Sequence, residues 1–198
     1  MKHVSRRSGG FTLVELLVVI AIITILAGLT MATMGIANTT AARNRAKAEI
    51  GALSLAIESY KVDNGDYPRS SSTDTLKATI TDSSTAGGQY NDASLTLYKQ
   101  LSGDGADGST PDRTLSTAEK ALGKVYFTFK PNMLYPRVPA GTAATVTALV
   151  DPFLNCYGYS TMGSASTTGT QAGGYNPTFD LWSTGGTSGT AGWITNWN

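Results

Sequence analysis

Histidine and cysteine are nearly missing from this chain: its 198 residues include one of each. The histidine is His3, at the extreme amino end, and the cysteine is Cys156. A single cysteine forbids an intramolecular disulfide in any compartment. With no histidine in the body of the chain there is no Ser-His-Asp or Cys-His constellation and no usual zinc site. A hydrolase built on carboxylates alone needs an acid pair in a distinctive setting, and none stands out. Charge is scarce as well. Fifteen basic and 14 acidic side chains leave a net charge of +1, so no basic field argues for nucleic acid. No enzymatic function is expected.

What charge there is has an uneven distribution. Lys2, Arg6 and Arg7 stand in the first ten residues without an acid, and the remainder is mildly acidic. From Leu16 to Ala37 no side chain is charged, a run long enough for a helix to cross a bilayer. Basic residues before such a run keep the amino end cytoplasmic and send the rest outward. An ordinary signal peptide, cut after Gly35 or Ala37, is one reading. The apolar run is too long for it, and Glu15 sits inside the hydrophobic sequence. A plain membrane anchor also leaves Glu15 unexplained, because a carboxylate in hydrocarbon costs about 2.5–3.5 kcal/mol. An acid there without a partner in its own chain suggests one in another chain.

The segment Gly10-Phe11-Thr12-Leu13-Val14-Glu15-Leu16-Leu17-Val18-Val19-Ile20 closely resembles the amino-terminal signature of type IV pilins and pseudopilins. The resemblance implies a ten-residue leader, 1–10, cut by a prepilin peptidase between Gly10 and Phe11. It also implies N-methylation of Phe11 and an assembly role for Glu15. The physics suits these residue types. A glycine before the cut enters a protease cleft without a side chain. The new amine, beside hydrocarbon, is neutralised by the Glu15 carboxylate of another subunit, and a misaligned subunit would leave two charges unpaired.

Ala42, Ala46, Ile50, Leu53, Ile57 and Tyr60 form one stripe of an amphipathic helix. Joined to the apolar run, it predicts a single helix from Phe11 to about Val62, roughly 75–80 Å at 1.5 Å per residue. Asn64-Gly65 and Pro68 end it. Many relatives have a proline midway along the apolar run. Here Gly28 and Gly35 stand in that region, either loosening the helix in its place or allowing close packing.

The helix exit, Tyr60-Lys61-Val62-Asp63-Asn64-Gly65-Asp66-Tyr67-Pro68, resembles that of the major pseudopilins of type II secretion. So do Asp151-Pro152-Phe153-Leu154-Asn155-Cys156-Tyr157-Gly158-Tyr159, with Leu154 for glycine and Cys156 for proline, and the segments Phe179–Ser183 and Ile194–Asn198. The likeness covers residues 1–68 and 124–198. Residues 70–122, rich in Ser, Thr, Gly and Asp, are expected to be an insertion private to this chain with little core. One short helix is expected in it, capped by Asn91 or Asp92, with Leu95, Tyr98 and Leu101 as its apolar face and Gly103 as its stop. Strands are expected over 125–129, 146–150, 157–159 and 178–183. Cys156 reads as a small buried hydrophobe rather than a link between subunits. Tyr157 and Tyr159 read as packing residues with wet hydroxyls.

The expected fold is therefore α+β: a long amino-terminal helix packed on a small antiparallel sheet, the pilin fold. The leader, the membrane and assembly half of the helix (11–37) and a periplasmic domain (38–198) are its parts. The resemblance implies a structural filament subunit of a type II secretion system, anchored in the inner membrane and then built into a periplasmic pseudopilus that helps export folded proteins. Its implied partners are further copies of itself, minor pseudopilins, an inner-membrane assembly platform, the prepilin peptidase and, before assembly, the lipid bilayer. A type IV pilin for adhesion, motility or DNA uptake shares the amino-terminal signature, though such pilins commonly close a disulfide that one cysteine cannot make. A membrane-anchored binding module is the third reading.

The resemblance further implies calcium in the loop after Asp180-Leu181-Trp182-Ser183, held by one acid in a Gly-Ala-Asp-Gly segment and another in Ala-Asp-Ile. Here those segments read Gly185-Gly186-Thr187-Ser188 and Gly192-Trp193-Ile194, and no acidic side chain occurs from Leu181 onward. The expectation is no cofactor, with Trp193 and local hydrogen bonds holding the loop. Asp104, Asp107 and Asp112 miss the EF-hand spacing and read as a solvated acidic loop.

Overall fold

The computed structural model describes residues 10–81, 83–84, 88–139, 142, 144–166 and 174–197. The basic leader residues Lys2, Arg6 and Arg7, and part of the Ser/Thr/Gly loop before Phe179, lie outside the described residues. The chain divides into two units, Met1–Ala41 and Ala42–Asn198.

One helix, α1 (Leu13–Asn64), serves both. In the first unit it runs without a break through Gly28 and Gly35, and a Cβ at either would meet nothing within 4 Å. Three of its hydroxyls bond its own backbone: Thr24 Oγ1 donates to the carbonyls of Ile20 and Ala21, Thr30 to Ala27, and Thr39 to Gly35. Such self-satisfied polar groups are what an apolar surrounding requires.

In the second unit the expected stripe is the buried one. Ala46, Ile50, Leu53 and Ile57 are buried, with Ala56 beside them, while Ala42 and Tyr60 are half-buried. Leu53 and Ile57, fully enclosed, contribute about 1.5–3 kcal/mol each by burial. The helix stops where Gly65 takes φ +82° and its N–H reaches back to the Lys61 carbonyl at 2.8 Å.

The segment 70–122 is not the core-poor insertion its composition suggested. It supplies α2 (Ser71–Thr75), α3 (Tyr90–Ser102) and α4 (Thr117–Leu122). Tyr90, Ala93, Leu97, Tyr98 and Leu101 of α3 are all buried, so Leu97 rather than Leu95 centres the apolar face. Gly103 ends α3 in the left-handed region, as expected. Of the acids expected in a solvated loop, Asp107 and Asp112 are exposed, but Asp104 is not, and Glu119 beyond them is buried too. Asp104 is buried, accepting from the N–H groups of Asp112 and Arg113 and from the Tyr98 hydroxyl. Glu119 accepts from the N–H groups of Ser116 and Gly105, which hold its carboxyl down at about 2. Sparse large residues thus mislead: carboxylates hydrogen-bonded to the backbone organise this region instead.

Two small sheets complete the unit. In the first, β1 (Leu134–Tyr135) pairs antiparallel with β2 (Ala148–Leu149). The second has the order β3 (Gly158–Ser160), β4 (Asp180–Ser183), β5 (Ile194–Thr195), all antiparallel. A short helix, α5 (Met162–Ala165), follows β3. The strand expected over 125–129 does not form. The N–H groups of Tyr126 and Phe127 donate instead to the Leu101 carbonyl, an end-of-helix acceptor that α3 cannot satisfy itself. Phe127 and Phe129 still pack against the core. The Tyr157 hydroxyl is not wet: it donates to Glu49 Oε2 at 2.6 Å on α1. Cys156 is buried, its Sγ 3.2 Å from Asn91 Oδ1.

Leu154, standing where the resembling segment has glycine, takes φ +71°. A side chain in that region costs about 1–2 kcal/mol. Leu154 is also half exposed, so little burial is lost with it. Leu154→Gly is therefore expected to raise Tm by a few degrees. An unchanged or lower Tm in a thermal melt would show that leucine contacts outweigh the strain.

Candidate functional site

The amino-terminal site is assembled by one turn of backbone. Gly10, Phe11 and Thr12 precede the helix in extended or irregular chain, and Phe11 is 81% exposed. A Cβ at Gly10 would meet nothing within 4 Å, so the peptide bond expected to be cut lies open on its glycine side.

Thr12 and Glu15 then form a reciprocal pair. The Thr12 N–H donates to Glu15 Oε2 at 2.9 Å, and Thr12 Oγ1 donates to the same oxygen at 2.8 Å. The Glu15 N–H reaches Thr12 Oγ1 at 3.2 Å. This is a capping box, with Thr12 as the N-cap and Glu15 three residues on. Two N–H groups that the helix start leaves unpaired find acceptors in it, and the acid lies at the positive end of the helix dipole. The carboxylate is thus locally held while remaining exposed. Thr12 was not singled out from the sequence, although the pattern Thr-x-x-Glu ahead of an apolar run is the recognisable mark of such a box.

A second candidate site is the loop between β4 and β5. Its base is buried and carries a polar network. Asp151 accepts from the N–H groups of Phe153 and Asn155, and from Ser183 Oγ at 2.5 Å. Burial pushes the Asp151 carboxyl above its usual range despite those donors. Ser183 Oγ in turn accepts from the Gly185 N–H at 3.0 Å. Farther out, Thr187 Oγ1 lies 2.9 Å from the Thr184 carbonyl and 3.1 Å from that of Gly189. Trp193 stacks on Trp182 with ring centroids 5.9 Å apart and planes 10° off parallel.

The oxygens of this loop's own side chains are neutral. Calcium takes six to eight oxygens and relies on carboxylates among them. The loop has no acidic side chain, and the carbonyls of Gly185 and Gly192 face Arg43 Nη1, a positive group, at 3.4 and 2.9 Å. In the 103–112 segment Asp107 accepts from the Ser109 N–H and Asp112 from the Thr114 N–H, both in local turns. Among the described residues, no three of His, Cys, Asp or Glu gather where they could hold a metal. Arg43 carried no signal in the sequence, being 142 residues from the nearer carbonyl.

Comparison with known proteins adds two family matches. Residues 5–31 match the prokaryotic N-terminal methylation motif, a span that includes Gly10, Phe11, Thr12 and Glu15. Residues 34–106 match type II secretion system protein G, a span that runs on from α1 through α3. The type II secretion system core protein G of Aeromonas hydrophila is 43% identical over 63 residues, covering 32% of this chain and 44% of that protein. The protein of the same name from Pectobacterium carotovorum is 40% identical over 75 residues, covering 38% and 47% respectively. That from Pseudomonas aeruginosa is 40% identical over 63 residues, covering 32% and 44%. The chain thus spans about half the length of the curated relatives it matches. No solved structure matches it.

Proposed function

Because this chain belongs to the type IV pilin-like family, as a protein of the major pseudopilin kind, we propose that it is a filament subunit of a type II secretion system. Glu15 carries the reading. It is an acid at the head of a helix long and apolar enough to cross a membrane, and among the described residues its hydrogen-bond partner is Thr12 of the same turn. Such an acid has reason to be there if another chain brings it a positive charge.

In this reading a prepilin peptidase removes residues 1–10, and Phe11 becomes the N-methylated amino terminus. Before assembly the apolar half of α1 lies in the inner membrane, amino end cytoplasmic, with the unit from Ala42 onward in the periplasm. An assembly platform then moves subunits into a pseudopilus, together with minor pseudopilins. Each new terminal amine meets the Glu15 carboxylate of a neighbour, which sets the register along the filament. Extension of the pseudopilus helps folded proteins through the outer membrane. The protein acts by assembling, and the reading assigns it no catalytic step.

Intact-protein mass spectrometry of assembled subunits is expected to find a chain beginning at N-methylated Phe11. A mature terminus after Gly35 or Ala37 would instead identify a signal peptide. Deleting the gene is expected to abolish exoprotein release and leave surface motility intact. Lost motility with intact release would favour a type IV pilin.

A further inference from the structure

The loop after β4 has a second feature besides its lack of acids: its two ends converge. Gly185 and Gly186 take φ +62° and +72°, turning the chain sharply as it leaves the strand. Farther along, a 3-10 turn over Thr190–Gly192 brings the chain back. The carbonyl oxygens of Gly185 and Gly192 consequently face one place, and that place holds Arg43 Nη1. The approach is close on every side. A Cβ on Gly185 would lie 2.5 Å from the Gly192 oxygen and 2.7 Å from Arg43 Nη1. A Cβ on Gly192 would strike Thr187 Oγ1 at 2.4 Å, and one on Gly186 the Phe153 ring at 2.7 Å.

Two carbonyl dipoles pointing at one spot repel each other and create a negative potential there. A cation relieves it, and a guanidinium does so while donating hydrogen bonds in a fixed fork. We propose that the Arg43 guanidinium is the fixed cation of the 184–193 loop, clamping its entry and exit to helix α1 and making the loop's shape independent of any metal ion. Arg43 is a positioning residue in this scheme. It fixes the two ends, Thr187 ties the interior, and the Trp182–Trp193 stack seats the exit on the core. The exposed stretch Gly186–Ala191 is left as the part the clamp governs. The inference stands on these contacts alone and does not depend on what the filament is for.

The test uses the full chain in detergent micelles, as wild type, Arg43→Met and Arg43→Lys, each in excess calcium and in excess chelator. Methionine keeps an apolar stem but removes the donors, whereas lysine keeps the charge with a single donor centre. Wild type is expected to melt at the same temperature in both solutions. Arg43→Met is expected to lower Tm by roughly 3–10 °C, the range for losing a charged hydrogen bond in a domain of this size. Below the melt, it should also weaken the near-ultraviolet circular dichroism of the stacked tryptophans. Proteolysis between residues 186 and 191 should speed up about tenfold or more. Arg43→Lys should fall between the two. Unchanged dichroism and loop cleavage in Arg43→Met would overturn the proposal, as would a calcium-dependent rise of many degrees in wild type. If Arg43→Met does not fold, Arg43→Lys decides: intermediate loop cleavage supports the clamp, and cleavage at the wild-type rate refutes it.

Discussion

Cells that make the Glu15→Ala protein are expected to process it, insert it and fold its second unit, yet to form no filament. The substitution takes one member from a pair proposed to be buried between subunits, leaving the neighbour's terminal amine charged and unpaired in an apolar surrounding. Removing one partner of a buried ion pair costs about 3–5 kcal/mol. At 1.4 kcal/mol per tenfold, each subunit contact then weakens by roughly a hundredfold to a few thousandfold. A filament repeats that contact at every subunit, so the loss compounds.

The capping box supplies the control that alanine lacks. Glu15→Ala also deletes the acceptor for the Thr12 N–H and hydroxyl, so helix fraying is an alternative cause of failure. Glu15→Gln keeps a carbonyl oxygen for Thr12 while removing the charge. If charge pairing drives assembly, Glu15→Gln fails nearly as completely as Glu15→Ala, and Thr12→Ala, which breaks only the box, still assembles. Crosslinking of neighbouring subunits in intact cells and a fractionation blot read all three. Since methylation of Phe11 can respond to residue 15, the mass of the mature terminus is measured in parallel. Normal filaments from cleaved Glu15→Gln protein would show that the carboxylate charge has no part in assembly.

How far the sequence could be read depends on how local each cause is. The helix and its buried stripe were legible because a period of 3.6 residues needs no knowledge of distant partners. Gly65 as its stop was legible for the same reason. Around Glu15 the acid stood out against the apolar run, while Thr12 passed unnoticed because its part lies in geometry three residues away. Most of the other missed features depend on contacts beyond the local element. Tyr126 and Phe127 alternate as a strand would, but the carbonyl they bond belongs to α3. Asp104 looks solvated by composition, but it is buried and collects the backbone donors of Asp112 and Arg113 from the turn that follows. The Arg43 clamp joins one end of the second unit to the other, so it has no local pattern at all.

Gly158 is the sharpest case of such hidden constraint, and its substitution is expected to be the most damaging to the fold. In sequence it is one small residue between Tyr157 and Tyr159, easily taken for a tolerant strand position. In the sheet it lies opposite Trp182 on β4, and a Cβ there would sit 2.1 Å from Trp182 Cε2 and 2.3 Å from Cζ2. Real Cβ contacts do not come so near, so ring or backbone must move by more than an ångström. The ring cannot move freely. Trp182 is completely buried, with its Nε1–H on the Tyr90 hydroxyl at 2.9 Å. Tyr90, Trp193 and Trp197 surround it with ring centroids 5.4, 5.9 and 5.6 Å away. Overpacking usually costs 1–3 kcal/mol, and a clash this deep against a ring held on all sides belongs at or above the upper end. We expect Gly158→Ala to lower Tm by roughly 10 °C, taking 2–4 °C per kcal/mol for a domain of this size. Gly51→Ala is the matched control. Gly51 lies on the exposed face of α1, a Cβ there would touch nothing within 4 Å, and alanine in a helix interior is favoured by about 0.5–1 kcal/mol. Its Tm should rise slightly. Trp182→Phe, which takes away the far ring and with it the closest contacts, should make Gly158→Ala less costly than it is beside tryptophan. Equal costs in the two backgrounds, or a Gly158→Ala protein melting with wild type, would mean that the strand yields at Gly158 and that the tryptophan does not fix the residue opposite it.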